Sequence, residues 1–167
     1  MLKGSEEACQ ALLQQLDQLG ISYHIVDHPA AETIEESDAY IAGMEGVPTK
    51  SLFLKDKHKR FYVLVMDDNK RLDFKEFQEL TGAKRVSMAK DEDIMDQLGL
   101  VPGIISPFGL AKHPQDVVGV YFDQDMLDEQ IPLTFHPNVN THTIFLSAAD
   151  LQKFIEAQGY QVQALAL

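Results

Sequence analysis

The chain has 167 residues, 45% of them hydrophobic, which is enough to fill one core without disulfides, so we expect a single domain over residues 1–167. Its only cysteine, Cys9, excludes an internal disulfide, and without a secretory leader or an apolar run of roughly 20 residues we expect a monomeric cytoplasmic protein with no membrane partner. The net charge of −12 excludes a protein that is basic throughout, the usual composition of a nucleic-acid-binding protein.

Helix and strand signals alternate from the start of the chain. Ser5 is an N-cap before leucines at helical spacing, and Thr33 begins a capping box with Glu36. The predicted helices are 5–19, a second from Thr33 to near Gly43, 73–81, 91–98 and 148–158. The predicted strands are 22–26, 49–54, 61–66, 85–88, 117–122, 133–136 and 143–146, the second and third forming a hairpin. No linker or repeat interrupts this alternation, which indicates an α/β or α+β fold.

The basic residues are concentrated in one stretch. Residues 50–90 hold eleven of the fourteen basic residues against six acids, a net charge of +5, whereas the rest holds three against twenty, a net charge of −17. This asymmetry favours a local anion-binding face on an acidic body. The alternative is an ordinary solvated hairpin and helix surface.

The apolar segment Val101–Leu110 contains two glycines and two prolines. Glycine allows close backbone approach and proline stiffens the path, so the segment is suited to presenting fixed backbone N–H groups to a ligand. A buried structural turn is the alternative.

Signatures of nucleotide-binding, serine-hydrolase and Cys-x-x-Cys chemistry are absent from the sequence. His24 and His28 do not share a helical face as zinc ligands would, and Cys9 is typical of a core residue, so we expect no metal and no cofactor. The remaining candidates are Lys50, at the start of an apolar strand, and His136, in a turn rich in amides. Either could instead be an ordinary structural residue.

Five segments in this order resemble one known family: His28-Pro29 with Thr33, Lys50–Asp56, Lys84-Arg85, Gly103 with Ser106–Leu110, and Phe135–Asn138 with Asn140-Thr141. Together they are similar to the YbaK-like prolyl-tRNA editing domains, especially the freestanding alanyl-tRNA(Pro) deacylases of the PrdX or ProX type. The resemblance covers roughly residues 20–160. It implies a mixed, partly barrel-like sheet flanked by helices.

The resemblance also implies an activity, which is trans-editing: hydrolysis of the ester of mischarged tRNA, above all Ala-tRNA(Pro), by water without metal. Such editing is needed because a site built for proline rejects a smaller amino acid only about 10- to 200-fold. Mischarged tRNA is the implied partner, and prolyl-tRNA synthetase and an elongation factor are further candidates.

Site residues are carried over by position. The catalytic residues would be Lys50, which holds the tRNA 3′ end and its ester, Gly103 in the oxyanion loop, and His136 in the aminoacyl pocket. The substrate-binding residues would be Thr33, Ser51, Ser106, Pro107, Phe108, Gly109 and Asn140. The tRNA-binding residues would be Lys55, Lys57, Lys59, Arg60, Lys84 and Arg85.

The sequence departs from the family pattern at a few positions. Ser51 stands where relatives often have Asn, and Ile104 replaces a small residue, which leaves serine or cysteine open as alternative substrates. Lys112-His113 also departs from the pattern, with no explanation from the sequence. A non-catalytic module that binds tRNA or a synthetase remains the rival hypothesis.

Overall fold

The computed structural model describes all 167 residues. The helices are α1 (Glu6–Gln18), α2 (Ile34–Tyr40), α3 (Phe74–Thr81), α4 (Asp91–Leu98), α5 (Gln124–Asp128) and α6 (Ala148–Ala157), with a 3-10 helix at Pro107–Lys112. The strands are β1 (His24–Asp27), β2 (Val47–Lys55), β3 (Phe61–Asp67), β4 (Ser87–Met88), β5 (Val117–Asp123), β6 (Leu133–Phe135), β7 (His142–Leu146) and β8 (Val162–Leu165). None of the helices is both long and apolar enough to cross a membrane.

Polar caps begin the helices where the sequence predicts them. The Ser5 hydroxyl accepts a hydrogen bond from the Ala8 N–H at 3.1 Å, and the Thr33 hydroxyl accepts one from the Glu36 N–H at 3.0 Å. Each bond satisfies a donor that the first turn of a helix leaves unpaired. The predicted starts of α1 and α2 are therefore confirmed.

All eight strands join one mixed sheet in the order β1-β7-β6-β2-β3-β5-β8, with β4 attached to β2. The β2–β3 hairpin is antiparallel, and the β3–β5 and β5–β8 pairs are parallel. The predicted mixed sheet flanked by helices is confirmed, and β1 and β8 form its two edges. The sequence analysis missed α5 and β8.

Strand β3 is buried on both faces. Phe61, Val63 and Val65 belong to a core of 24 buried residues, which also includes residues of α1, α4 and α6. Tyr62 and Leu64 point to a smaller core of nine buried residues, which includes Phe77 of α3. This alternation follows from the two-residue period of a strand, and it confirms the prediction of a buried central strand.

Strand β2 has different neighbours at its two ends. Val47 and Pro48 pair with β6, whereas Leu54 and Lys55 pair with β4. Strand β3 covers the other side from Thr49 onward. Residues 49–52 therefore have a paired strand on one side only, and the sheet opens at this place.

Candidate active site

A cavity of about 380 Å³ lies where β2 separates from β6. Its walls come from α2, β2, β6, β7, the 103–105 segment and the N-terminal segment. The volume is within the usual range for small-ligand sites. Five of the predicted site residues line it together: Lys50, Gly103, His136, Thr33 and Ser51.

Lys50 reaches the cavity from β2. Its ammonium group donates a hydrogen bond to the main-chain carbonyl of Lys70, which follows β3. The ammonium group of Lys70 lies 3.0 Å from carboxylate oxygens of both Asp123 and Asp125. Burial would lower the pKa of Lys70, but these two carboxylates outweigh burial and raise it. The loop that contacts Lys50 is thus anchored at the end of β5.

His136 lies directly after β6, with both ring nitrogens hydrogen-bonded. Nδ1 is 2.9 Å from the His142 carbonyl, and Nε2 is 3.0 Å from the Ser37 hydroxyl. Since a carbonyl only accepts, we assign the proton to Nδ1, so Nε2 of the neutral ring is the acceptor in its contact with Ser37. The Ser37 hydroxyl shares its single proton between Nε2 and the Thr33 carbonyl, which lies at 3.1 Å. Burial lowers the pKa of His136, which favours this neutral form.

A second histidine supports the same wall. Nε2 of His28 is 2.8 Å from the Thr143 hydroxyl, and Nδ1 is 2.8 Å from the Pro29 carbonyl. Its ring stacks on Tyr40 with centroids 4.9 Å apart and lies edge-on to His136. These contacts connect β1, α2 and β7 around the cavity and fix its polar wall.

Two carboxyl groups lie near Lys50. Asp38 of α2 lines the cavity, and Oδ2 of Asp68, just after β3, is buried without a donor. Burial, followed by the neighbouring Asp38 and Asp67 carboxylates, raises the pKa of Asp68 to about 7, although Lys50 opposes the shift. A proton on Asp68 would allow its carboxyl group to donate to the neighbouring Asp38.

The segment before the 3-10 helix contributes residues 103–105 to the cavity wall, and two of its backbone N–H groups are unpaired. The Ile104 N–H bonds to the Val101 carbonyl at 3.2 Å, whereas the N–H groups of Gly103 and Ile105 have no acceptor in the protein. Gly103 has a φ of +99°, a conformation that favours glycine. Two unpaired N–H groups beside a cation can stabilise negative charge on a bound ligand.

The aminoacyl-tRNA editing domain matches residues 28–154. The chain belongs to the aminoacyl-tRNA editing domain family. The family and the aminoacyl-tRNA editing function that the sequence predicts are thereby confirmed.

Comparisons over the whole chain agree with this assignment. The prolyl-tRNA editing protein ProX of Acetoanaerobium sticklandii is 33% identical over 162 residues, which are 96% of this chain and 98% of that protein. The prolyl-tRNA synthetase associated domain-containing protein 1 of Mus musculus is 32% identical over 95% of each chain. The crystal structure of a proposed trans-editing enzyme for prolyl-tRNA synthetase superposes with a TM-score of 0.74 at 19% identity, covering 98% of this chain and 99% of that one, and shows the same fold.

Four predicted substrate-binding residues of this editing domain lie behind the cavity wall. Ser106 caps the 3-10 helix, its hydroxyl accepting from the Phe108 N–H and its carbonyl from the Gly109 N–H, both at 3.2 Å. Pro107 is the first residue of that helix, and all four residues are buried. Phe108 packs edge-on against Phe135 of the cavity wall, with centroids 5.8 Å apart. This segment therefore lines the cavity through residues 103–105, not through residues 106–109.

Asn140, the remaining predicted substrate-binding residue, also lies outside the cavity. Its side chain is fully buried, donates to the Ala31 and Met1 carbonyls at 2.8 and 3.0 Å, and accepts from the Lys3 N–H at 2.8 Å. Asn140 thus fastens the N-terminal segment to the turn after β6.

None of the six predicted tRNA-binding residues lines the cavity. Lys55 and Arg60 each lie 3.2 Å from a carboxylate, of Asp93 and Asp56 respectively. The other four, Lys57, Lys59, Lys84 and Arg85, are exposed. A backbone hydrogen bond of 3.1 Å from Lys57 to Lys84 joins their two turns into one surface, which we call the basic turns. Lys55, next to these turns, is about 17 Å from Lys50 along β2.

Sequence reasoning missed several cavity residues, notably Lys3, Ser37, Asp38 and Thr143. Ser37 follows Thr33 by four residues, so the helical period could have placed both on one face. Lys112, which the sequence left unexplained, donates to the Met95 and Asp96 carbonyls at the end of α4. Its role is to cap that helix.

One cluster of side chains of the types that can ligate metals lies outside the cavity. Ligand atoms of Glu6, Cys9 and His142 are within 4.8 Å of one another. His142 Nε2 is 2.6 Å from Glu6, and its Nδ1 is 2.6 Å from Asp27. Burial raises the pKa of the Cys9 thiol to about 11. An ion pair of His142 with two carboxylates, beside a protonated thiol, accounts for this cluster.

Proposed function

We propose that this editing domain hydrolyses the ester of mischarged Ala-tRNA(Pro) in the cytoplasm, acting as a separate protein after prolyl-tRNA synthetase. The observation that carries the proposal is one cavity that combines Lys50, neutral His136 and the unpaired N–H groups of Gly103 and Ile105. The full-length similarity to a prolyl-tRNA editing protein supports the choice of tRNA.

In this proposal the ester binds between Lys50 and the 103–105 segment. Attack by water on the ester carbonyl moves negative charge onto its oxygen, and the N–H groups of Gly103 and Ile105 stabilise that charge together with the Lys50 ammonium. The ribose hydroxyl of the substrate assists the water. The bond to the tRNA oxygen then breaks, releasing alanine and free tRNA.

His136 and Thr33 form the wall of the aminoacyl pocket in this proposal. The His136 ring is held by Ser37 and by the His142 carbonyl, so it presents a fixed neutral surface. Ile104, which is 3% exposed and lines the cavity, narrows the space for the amino-acid side chain. A pocket of this kind excludes proline by size while admitting the alanine methyl group.

The test measures the loss of Ala-, Pro-, Ser- and Cys-tRNA(Pro) esters with EDTA present. We expect selective loss of alanine, and a fall in kcat/KM of about 10²- to 10³-fold in Lys50→Ala with an unchanged melting temperature. Lys75→Ala, an exposed lysine on α3, is the matched control. Selective loss of the seryl or cysteinyl ester would change the assigned substrate. If none of the four esters is hydrolysed, the non-catalytic binding module is favoured.

A further inference from the structure

The N-terminal segment brings a second lysine to the cavity, and its main chain is fixed there. The Lys3 N–H donates to the Asn140 side chain at 2.8 Å, and the Lys3 carbonyl accepts from the Asn140 N–H at 3.0 Å. Gly4 forms an antiparallel bridge with Val139. Asn140 therefore binds both main-chain polar groups of Lys3. Because Asn140 is fully buried, breaking these bonds would leave buried polar groups unpaired.

The side chain of Lys3 lies against Gly103. A Cβ atom added to Gly103 would come within 2.6 Å of the Lys3 ammonium nitrogen and 3.5 Å of its Cδ and Cε. The missing side chain at position 103 therefore leaves the space that Lys3 occupies. This contact places the ammonium group beside the proposed oxyanion donors, in the cavity that Lys50 also lines.

The charges around Lys3 leave it available to a ligand. No carboxylate lies within 4.0 Å of the Lys3 ammonium group. By contrast, Lys70, in the loop that contacts Lys50, has two carboxylate partners. Glu32, which also lines the cavity, is paired with the N-terminal ammonium group, and the charge of Lys3 adds only the last of the causes that lower the pKa of Glu32. An unpaired, half-buried ammonium group on a cavity wall favours an anionic ligand.

We propose that Lys3 is a second substrate-binding cation, which contacts the phosphate of the 3′-terminal nucleotide while Lys50 contacts the ester. The inference rests on the proposed function for the identity of the ligand. It also assigns Asn140 a role, which is to hold the Lys3 main chain at the cavity.

The test compares Lys3→Ala and Lys3→Arg with the control Lys153→Ala, an exposed lysine of α6. The probe is an RNA minihelix with a CCA end that carries alanine through a non-hydrolysable amide, and its Kd is measured by fluorescence anisotropy over a range of salt. We expect Lys3→Ala to raise Kd and KM with little change in kcat. The salt slope should fall by about 0.7, the value for one phosphate contact to a single strand. Lys3→Arg should restore most of the binding.

Two outcomes would overturn the inference: an unchanged Kd in Lys3→Ala, whether or not kcat falls, or an equal rise of Kd in Lys153→Ala. Hydrolysis is not needed for the binding measurement. A wild-type protein that binds the probe through Lys3 but leaves Ala-tRNA(Pro) intact would contradict the proposed function alone. A protein that hydrolyses Ala-tRNA(Pro) while Lys3→Ala binds normally would contradict this inference alone.

Discussion

The ammonium group of Lys50 donates to the carbonyl of Lys70, and the side chain of Lys70 is in turn held by Asp123. Lys70 follows β3, and Asp123 ends β5, the parallel neighbour of β3. Because β3 and β5 are neighbours in the sheet, Asp123 lies next to the loop that contains Lys70. The position of Lys50 depends on two residues that never enter the cavity.

Substituting Lys70 with methionine should destabilise the fold. Asp123 is fully buried, so loss of its cation leaves an uncompensated charge, and we expect the free energy of unfolding in urea to fall by about 3 kcal/mol. Lys75→Met, on the exposed face of α3, should change it by less than about 0.5 kcal/mol. Equal values for the two variants would show that the Asp123 pair contributes nothing to stability.

The parts of the fold that were predicted from sequence depend on local chemistry. Ser5 and Thr33 cap helices through side chains three residues from their donors, and Gly99 ends α4 in the left-handed conformation, with a φ of +65°. The missed strand β8 is short and half-exposed at a sheet edge, so it has no distinct hydrophobic period. The sequence analysis did not predict the 3-10 helix. Ser106 and Pro107 are typical helix-start residues, but the two glycines of the segment favoured a loop.

The site was predictable where the order of short motifs along the chain carries the signal. Lys50 and Gly103 stand at strand and loop positions that the sequence marks, and both line the cavity. Asp38 and Asp68 are thirty residues apart, one on α2 and one just after β3, so no local pattern indicates that their carboxyl groups are neighbours. Lys3 lies at the cavity because the Asn140 side chain accepts a hydrogen bond from its main chain. No local pattern indicates this long-range contact.

Asp68 should make stability depend on pH. Its pKa is about 7 in the folded protein against about 4 unfolded, so its contribution to stability is complete below pH 4 and is lost as pH rises through 7. Asp68→Asn removes this loss, so its free energy of unfolding relative to wild type should increase between pH 5 and pH 8. Because the carboxyl group is partly exposed and screened by solvent, we expect an increase of about 1 kcal/mol, less than the full shift would give. Urea titrations at both pH values measure the change. Glu79→Gln, an exposed acid of α3, should show none, and a flat difference for Asp68→Asn would disprove the shift.

His142 should act in the same direction over a higher pH range. Burial alone would lower its pKa, but the hydrogen bonds with Glu6 and Asp27 outweigh burial and raise it. Its stabilisation is therefore complete below its unfolded pKa of about 6.5 and is lost as pH rises through the folded value. His142→Gln should lose more stability at pH 6 than at pH 9 in chemical denaturation. His58→Gln, in an exposed turn, is the control, and an equal loss for His142→Gln at both pH values would contradict the ion pair.

The basic turns should bind the tRNA body rather than its aminoacyl end. Lys57 and Lys84 are exposed and adjacent, about 17 Å or more from Lys50, so their contacts would be to duplex phosphates of the acceptor stem. The double variant Lys57→Glu with Lys84→Glu should raise KM for full-length tRNA and reduce the salt slope of kcat/KM by about 2, with kcat retained. The matched double variant Lys75→Glu with Lys153→Glu makes the same charge change away from these turns. If both double variants raise KM equally, net charge rather than a defined surface governs tRNA binding, because long-range repulsion does not depend on where the charges lie.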